Sequence, residues 1–591
     1  MSALFKKFIV KAVLSLIAVP AILPCAAAQP RQFLDPGPIE KSIIGQRELF
    51  KEIEFPTQPD GALAFVQFSQ IARTRVLQGH EYASVRAKLA MFEANPSLGL
   101  TSSGLLREEA APLIRAYVRI RYNDDAAWSL SRFIKFQTYK SRMPSADNPE
   151  FISATKFLAD LAARLKLRFK DLEGNFAEIS LPGGEPPLGV VGHMDVVPAE
   201  ETGWKYPPFS GAIAEGFVWG RGAQDDKGAV VSAIYALAGL LEARVRMKNR
   251  VVILVGTAEE STWEDVDYLF RRYSPPPLNI IIDSEYPVVF GEKGIMNVRF
   301  TSPATQTEKI GRNWEVLEAG GGLQPTMVPE RAGLRVRSAG RGREAALKEL
   351  SDLAAKFNST HKGAKVSLAV GEDLLELQFS GTAAHAMNPE AGHNAIADMI
   401  QFVIDEMGIP DNGRGCMMRF LAEHIGHATD GSALGVGRSQ TVLGSTTANM
   451  GTWVEKNGAV AVSVNIRFPT GLGIEEIKGT VERKVKKFNE RTGCQIGYST
   501  RGLPPVLVDT NSDIVRALMY SFKSSTGEDG EPVITGGTSY AKVFPNSVSF
   551  GPVMPGQEKL EHAVNERLPT AQITINAGIY ATAILLLAGQ P

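Results

Sequence analysis

The chain is poor in cysteine, with three in 591 residues. Cys25 lies in a leader-like stretch, so only Cys416 and Cys494 remain downstream. Two cysteines in so long a chain exclude a disulfide framework, although an oxidising compartment would allow one bridge. Neither stands beside a catalytic partner, and both read as core filler. An excess of either charge is missing too. Basic and acidic residues number 63 and 64, which removes the electrostatic reason to expect a nucleic-acid partner. No stable membrane insertion is expected: the final helical stretch, residues 572–587, is apolar but carries Thr574 and Asn576 and reads as a core helix. No sequence repeat or low-complexity tract stands out.

What is present belongs to a soluble globular protein: 44% hydrophobic and 21% charged residues, in a chain long enough for two or more domains. Residues 1–28 differ. Lys6, Lys7 and Lys11 precede the apolar run 12–23, and Ala26-Ala27-Ala28 offers a small-residue cleavage site. That is the pattern of a secretory signal peptide cut after Ala28, and it implies a periplasmic or secreted protein. An uncleaved anchor is the alternative, against which the run is short. Pro24 stands where a lipid-attachment box before Cys25 wants a small residue, which argues against a lipoprotein.

Residues 29–110 read as a helical N-terminal extension, with apolar residues at helical spacing over 44–53, 63–77 and 82–92. Two further amphipathic helices are expected between residues 127 and 169. Strands and helices then alternate: a strand into His193, a helix over 229–243, strands at 251–255 and 279–282. This predicts an α/β domain with a mostly parallel sheet and helices on both faces. After Gly294 alternating apolar segments and charged helices imply an α+β insertion, and from Pro504 the α/β texture resumes. The expected divisions are a leader at 1–28, the extension at 29–110, the α/β domain in two parts at 111–295 and 504–591, and an inserted domain at 296–503.

The chemistry collects at strand ends. The apolar run before Gly192-His193-Met194-Asp195 places His193 at the C-terminal end of a strand, where open α/β sheets gather ligands. An imidazole suits a divalent metal, and Asp195 could orient the ring. Asp225 opens the next helix within Gly222-Ala223-Gln224-Asp225-Asp226-Lys227-Gly228; Glu259 and Glu260 follow one strand, Asp283 follows another, and Glu561-His562 adds a second histidine. Singly these have bland readings, such as a helix cap or a solvated turn. Together, two histidines and several carboxylates at the ends of one sheet suit a carboxylate-bridged pair of divalent ions.

These motifs resemble the dizinc metallopeptidase family twenty, which includes aminoacylases, carboxypeptidase G, carnosinases, succinyl-diaminopimelate desuccinylase and bacterial dipeptidases. The resemblance covers about residues 110–591. Asp283-Ser284-Glu285-Tyr286-Pro287, Gly291-Glu292-Lys293-Gly294 and Asn465-Ile466-Arg467-Phe468-Pro469 look most like the large-lid dipeptidases. The resemblance implies two divalent ions, zinc first and manganese or cobalt next. Asp225 would bridge them, His193 and Asp283 would complete one, and Glu260 and His562 the other. Asp195 would orient His193, and Glu259 would be the general base toward a water shared by the ions. A cis peptide after Asp225 is implied as well.

From the insertion, Gly381-Thr382-Ala383-Ala384-His385-Ala386 would supply His385 to a tetrahedral oxyanion. Arg467 would grip the substrate carboxylate, with Gly536, Gly537, Thr538 and Ser539 lining that end of the cleft. Thr326 and Lys542 depart from the asparagine and arginine more usual in dipeptidases, which leaves side-chain preference open. His80, His361 and His393 read as structural, and His424 with His427, spaced i, i+3, as a weak metal mimic. The size of the insertion favours a monomer. The expected activity is hydrolysis of short peptides with free termini. An N-acyl amino acid deacylase is the nearest rival, and a non-catalytic receptor-like relative the more distant one.

Overall fold

A computed structural model describes residues 39–53, 61–140, 143–303, 309–310, 314–338, 340, 342–370, 374–409 and 412–590. The expected leader lies outside the described residues. The first described helices are α1 (Ile39–Gly45), α2 (Gly61–Ile71), α3 (Ala83–Ala94) and α4 (Arg107–Ile134), then α5 (Pro149–Arg164). Strands β1 (Arg168–Leu172), β2 (Phe176–Leu181) and β3 (Gly184–His193) lead to α6 (Lys227–Glu242). Next come β4 (Asn249–Gly256), α7 (Glu264–Arg272), β5 (Leu278–Ile281) and β6 (Val289–Glu292). The seam expected after residue 110 falls inside α4, where Glu109 reaches back to the Leu106 N–H at 2.9 Å and fixes the helix start.

With two short strands from the far end of the chain, Val506–Leu507 and Ser547–Ser549, these strands form one sheet in the order β1-β2-β4-β3-β5-(547–549)-β6-(506–507), and Val533–Thr535 adds beside β6. The middle, β4-β3-β5-(547–549), is parallel and antiparallel strands flank it. Strand alternation splits the apolar side chains between two cores. Val251, Ile253 and Val255 face α4, α6 and the last helix, α13 (Thr570–Ala588, named here ahead of α8–α12); Val252 and Leu254 face α7 and the segment around Phe544. Being covered on both faces is what makes β3 and β4 continuous hydrophobic runs. α13 is long and apolar enough to cross a membrane, but 83% of its apolar window is buried in protein.

The second sheet comprises strands drawn from residues 294–503. It begins with β7 (Gly294–Ser302), continues through 314–321, 331–338, 365–370 and 375–380, and returns through β8 (Thr447–Lys456), β9 (Ala459–Phe468) and β10 (Gly497–Leu503). It is antiparallel, with helices α8 (Arg343–Thr360), α9 (Ala395–Phe402), α10 (Gly413–His424) and α11 (Ile474–Thr492) supplying its own core with residues such as Met296, Val298, Phe300 and Phe488. The chain crosses between the sheets twice, at Lys293 and after Leu503. β7 and β10 are paired there, and Arg467 on β9 sits opposite Ile295 at the crossing. α12 (Asp513–Thr526) then returns the chain to the first sheet.

Cys416 and Cys494 form a disulfide across the second core, so their reading as core filler is corrected. The residues are 78 apart, and their proximity is set by α10 packing beside the end of α11, a tertiary fact with no local sequence trace.

Candidate metal centre

His193 is the last residue of β3, wedged between β4 and β5, and its ring is fully buried. Gly192 lets Asp226 approach: a Cβ there would meet Asp226 Oδ2 at 2.2 Å. That oxygen accepts the His193 N–H at 3.0 Å. The ring Nδ1 lies 2.9 Å from the Asp195 backbone carbonyl, which assigns the proton to Nδ1 and leaves Nε2 its lone pair. Nε2 is buried without a hydrogen-bond partner, 3.0 Å from Asp225 Oδ1 and 3.6 Å from Asp283 Oδ2.

Asp225 stands between the two histidines. Its Oδ1 faces His193, and its Oδ2 lies 3.1 Å from His562 Nε2, which is in turn 2.7 Å from Glu260 Oε1. The Asp225–Asp226 peptide is cis, as the resemblance implied. The loop bearing Asp225 is held by Glu566, a fully buried residue to which no role had been given. Its Oε1 accepts the N–H groups of Gly222, Gln224 and Asp225 at 3.1, 2.9 and 3.2 Å, and its Oε2 pairs with Arg221 Nη1 at 2.6 Å. Arg221 Nη2 also donates to the His562 carbonyl at 3.0 Å. That clamp supports His562 in a left-handed conformation, φ 63°, uncommon for a non-glycine residue.

Asp195 does more than orient His193. Its carboxylate is 3.4 Å from the ring, while its two oxygens accept the N–H groups of Glu259 and Glu260 at 3.1 and 3.0 Å. The turn after β4 lies directly over this carboxylate, so Asp195 carries the turn as well as bordering the ring. Glu259 is buried with Oε1 unpartnered. Burial pushes its carboxyl well above the ordinary range, against the pull of His193.

Charge is crowded here. Burial and Asp225 push Glu260 up to about 8. Burial would lower His562, but Asp225 and Glu260 raise it to about 11. Asp225 is driven down by the two imidazoles despite its burial. Two donor sets emerge, His193/Glu259/Asp283 and Asp225/Glu260/His562, each with ligand atoms within 4.8 Å of one another. Unpartnered, buried Nε2 and Oε1 atoms amid converging carboxylates fit divalent ions better than hydrogen bonds among themselves. Glu259 groups with the first set, closer to a ligand position than its expected role as base required.

On β9 of the second sheet, Arg467 is buried and has no carboxylate in ion-pair range among the described residues. Its Nη1 donates to the Gly536 carbonyl at 2.8 Å and Thr538 Oγ1 at 3.1 Å, and its Nε to Asn465 Oδ1 at 2.9 Å. Burial lowers it to about 10, opposed by Glu292; it remains a cation seeking an anion. The Ser539 hydroxyl and N–H instead turn to Glu292 at 2.6 and 3.3 Å, so this residue braces the loop rather than presenting polar groups to the cleft. Lys542 is buried too, 3.3 Å from Glu292 and 2.7 Å from the Lys293 carbonyl.

His385 lies exposed on its loop, which pairs with Met327. Its Nδ1 accepts the Met387 N–H at 3.1 Å, leaving the proton on Nε2. Partial desolvation by its neighbours, then the cations Arg467 and His562, hold its pKa below the ordinary imidazole value, so the ring is a neutral donor. His424 and His427 do not converge. The first lies 3.7 Å from Glu423, and the second, like His393, faces Asp398.

A family model described as peptidase family M20/M25/M40 matches residues 189–586. A provisionally named dipeptidase of Staphylococcus aureus (strain bovine RF122 / ET3-1) is 27% identical over 435 residues, 73% of this chain and 90% of that relative. Another, from Staphylococcus haemolyticus (strain JCSC1435), is 28% identical over 440 residues with the same coverage. Among solved structures, human carnosine dipeptidase 1 is 14% identical with a TM-score of 0.46, over 80% of this chain and 98% of that one. The di-peptidase Dug1p from Saccharomyces cerevisiae is 13% identical with a TM-score of 0.47, over 82% and 99%. With the family match running from the strand that carries His193 to the helix that closes the core, the chain belongs to peptidase family M20/M25/M40 and is a metallopeptidase, a hydrolase.

Proposed function

We propose that this metallopeptidase is an exported, monomeric dipeptidase that cleaves short peptides with free termini. The observation that carries the reading is a two-set donor cluster on one sheet together with a buried guanidinium on the other, Arg467, which meets no carboxylate among the described residues and reaches back to Gly536 and Thr538. A dipeptide offers a scissile amide to the donor cluster and a free carboxylate to the guanidinium. The relatives named above, aligned over 90% of their length, support the substrate class. The Cys416–Cys494 bridge supports export to an oxidising compartment.

His193 and Asp283 would hold one cation and Glu260 and His562 the other, with Asp225 placed between them. Two zinc ions there would supply Lewis acidity and bring the pKa of water toward neutrality. Glu259 takes the proton of the attacking water as its oxygen bonds the carbonyl carbon. It then delivers that proton to the amide nitrogen as the C–N bond breaks. The His385 Nε2–H donates to the oxyanion, and Arg467 holds the carboxylate.

The test is turnover of free dipeptides beside their N-acetylated forms by the metal-loaded mature chain. Cleavage of the free set alone, lost with chelator, is expected. Cleavage of the acetylated set alone would make it a deacylase, and silence on both would sink the catalytic reading. Glu259→Gln should lower kcat by about 10²–10⁴-fold, the usual worth of a general base, while metal content stays unchanged.

A further inference from the structure

The segment from Gly536 to Lys542 links Arg467 to the turn that carries Glu259. At one end it is gripped by Arg467 through Gly536 and Thr538. At the other, the Tyr540 hydroxyl donates to Asp265 Oδ2. Both residues are fully buried. The same carboxylate oxygen accepts the N–H groups of Thr257 and Ala258 at 2.8 and 2.9 Å, the two residues immediately before Glu259.

The backbone of Glu259 is fixed on its other sides as well. Its N–H goes to Asp195 at 3.1 Å, and its carbonyl accepts from Trp263 Nε1 at 2.5 Å. The Tyr540 ring packs edge-on against Trp263, with centroids 5.4 Å apart, and lies 6.4 Å from the His193 ring. The general-base turn is therefore held by backbone contacts while the Glu259 Oε1 stays bare. One of those contacts depends on a hydroxyl delivered from 275 residues downstream. Asp265 belongs to neither donor set. Its remaining oxygen accepts the Val266 N–H at 2.7 Å at the start of α7.

We propose that Tyr540, acting through Asp265, is a positioning residue for Glu259, and that it ties the base turn to the loop gripped by Arg467. The proposal rests on the peptidase reading above. Removing the hydroxyl leaves the packing and the Arg467 contacts in place but withdraws one donor from the carboxylate that holds the turn. Small displacements of a reacting group are costly: about 1 Å can cost about 10²-fold in rate. The loss should fall on kcat, because ground-state capture of the carboxylate is untouched.

The experiment is Tyr540→Phe in the full metal-loaded chain, with steady-state kinetics on the best dipeptide and metal content measured alongside. Asp265→Asn and the double variant complete a cycle. Expected is a kcat lowered about 10-fold or more, with KM within about twofold, two metals retained, and a double variant no worse than Asp265→Asn alone. A wild-type kcat in Tyr540→Phe overturns the proposal, and so does a change confined to KM. Loss of metal in step with kcat also overturns it, since the tyrosine would then serve His193. Losses that multiply in the double variant do the same. Tyr540→Phe decides the matter alone if Asp265→Asn fails to fold. Should the wild type cleave only acetylated substrates, the dipeptidase reading fails while Tyr540→Phe is scored on those; a wild type silent on both sets sinks both ideas.

Discussion

Asp225 and Glu566 are 341 positions apart, and the second decides where the first points. Three N–H groups and Arg221 converge on the Glu566 carboxylate in the protein interior. Glu566→Gln keeps the shape but strands the Arg221 charge, so metal affinity should fall by about 10–100-fold, the usual scale for groups supporting a ligand. Competition with a coloured chelator reads this directly, and an unchanged dissociation constant would refute it. The ligands carry a second prediction. Without metal, the hydrogen-bonded His562–Glu260 pair, raised to about 11 and about 8, holds more protons at pH 7 than a neutral imidazole beside an ionised carboxylate would. Ligation needs a neutral imidazole and an ionised carboxylate, so metal must displace those protons. The metal-free centre binds more protons than the loaded one. Apparent affinity therefore rises from pH 6 to 8, and proton release appears in weakly buffered titrations; a flat profile would contradict the assignment. The candidate ligands were legible because each acid or histidine ends an apolar strand or opens a helix, apart from His562, which needed its motif. Glu566, Asp265 and Glu292 were not legible. Glu566 and Asp265 meet mostly backbone N–H groups, which carry no residue-type signature, and Glu292 meets Ser539, Ser549 and Lys542 from about 250 positions away.

At the scale of elements, legibility followed amphipathicity. α11, with its charged outer face, is one of the charged helices the sequence shows, whereas α4 begins at Arg107, about 20 positions before the helices expected from residue 127. Residues 110–118 are all buried, so that part of α4 is apolar or satisfied on every side and shows no stripe to read. The disulfide shows the same limit, because only the packing of α10 against the end of α11 brings Cys416 to Cys494. Closing a loop of that length restricts the unfolded chain, so replacing both cysteines by serine should destabilise this unit by about 2–4 kcal/mol. The metal centre belongs to the other sheet and should keep its metal content. Calorimetry with metal analysis checks this, and an unchanged unfolding temperature would show that the bridge constrains nothing the fold does not already fix.

Across the whole molecule, the N-terminal helices share one core with the sheet that carries the metal centre. Phe65 and Phe68 pack edge-on against Tyr117 of α4, with Phe92 against Phe65 and Phe50 against Phe68, and that cluster runs on into α6 and α13. One ion pair makes the joint specific. Arg115 of α4 is buried, and its guanidinium meets Glu40 of α1 at 2.6 Å, Thr582 of α13 at 3.2 Å and the Ser524 carbonyl of α12 at 3.0 Å. Glu40 also takes Arg119 at 3.1 Å. Four helices therefore meet on one charge whose only carboxylate comes from the extension, among the described residues. Removing one partner of a buried pair costs about 3–5 kcal/mol because the other is left uncompensated. Glu40→Gln should accordingly lower the unfolding free energy by that order without changing KM, since Arg467 and the metal ligands are untouched. Replacing Arg115 by Met in the Glu40→Gln background should recover much of the loss, because an apolar side chain of similar length leaves no stranded charge. Denaturant unfolding of the single and double variants measures both steps. A single variant as stable as wild type would mean that water or another group reaches Arg115, and the extension would then be held by its apolar face alone.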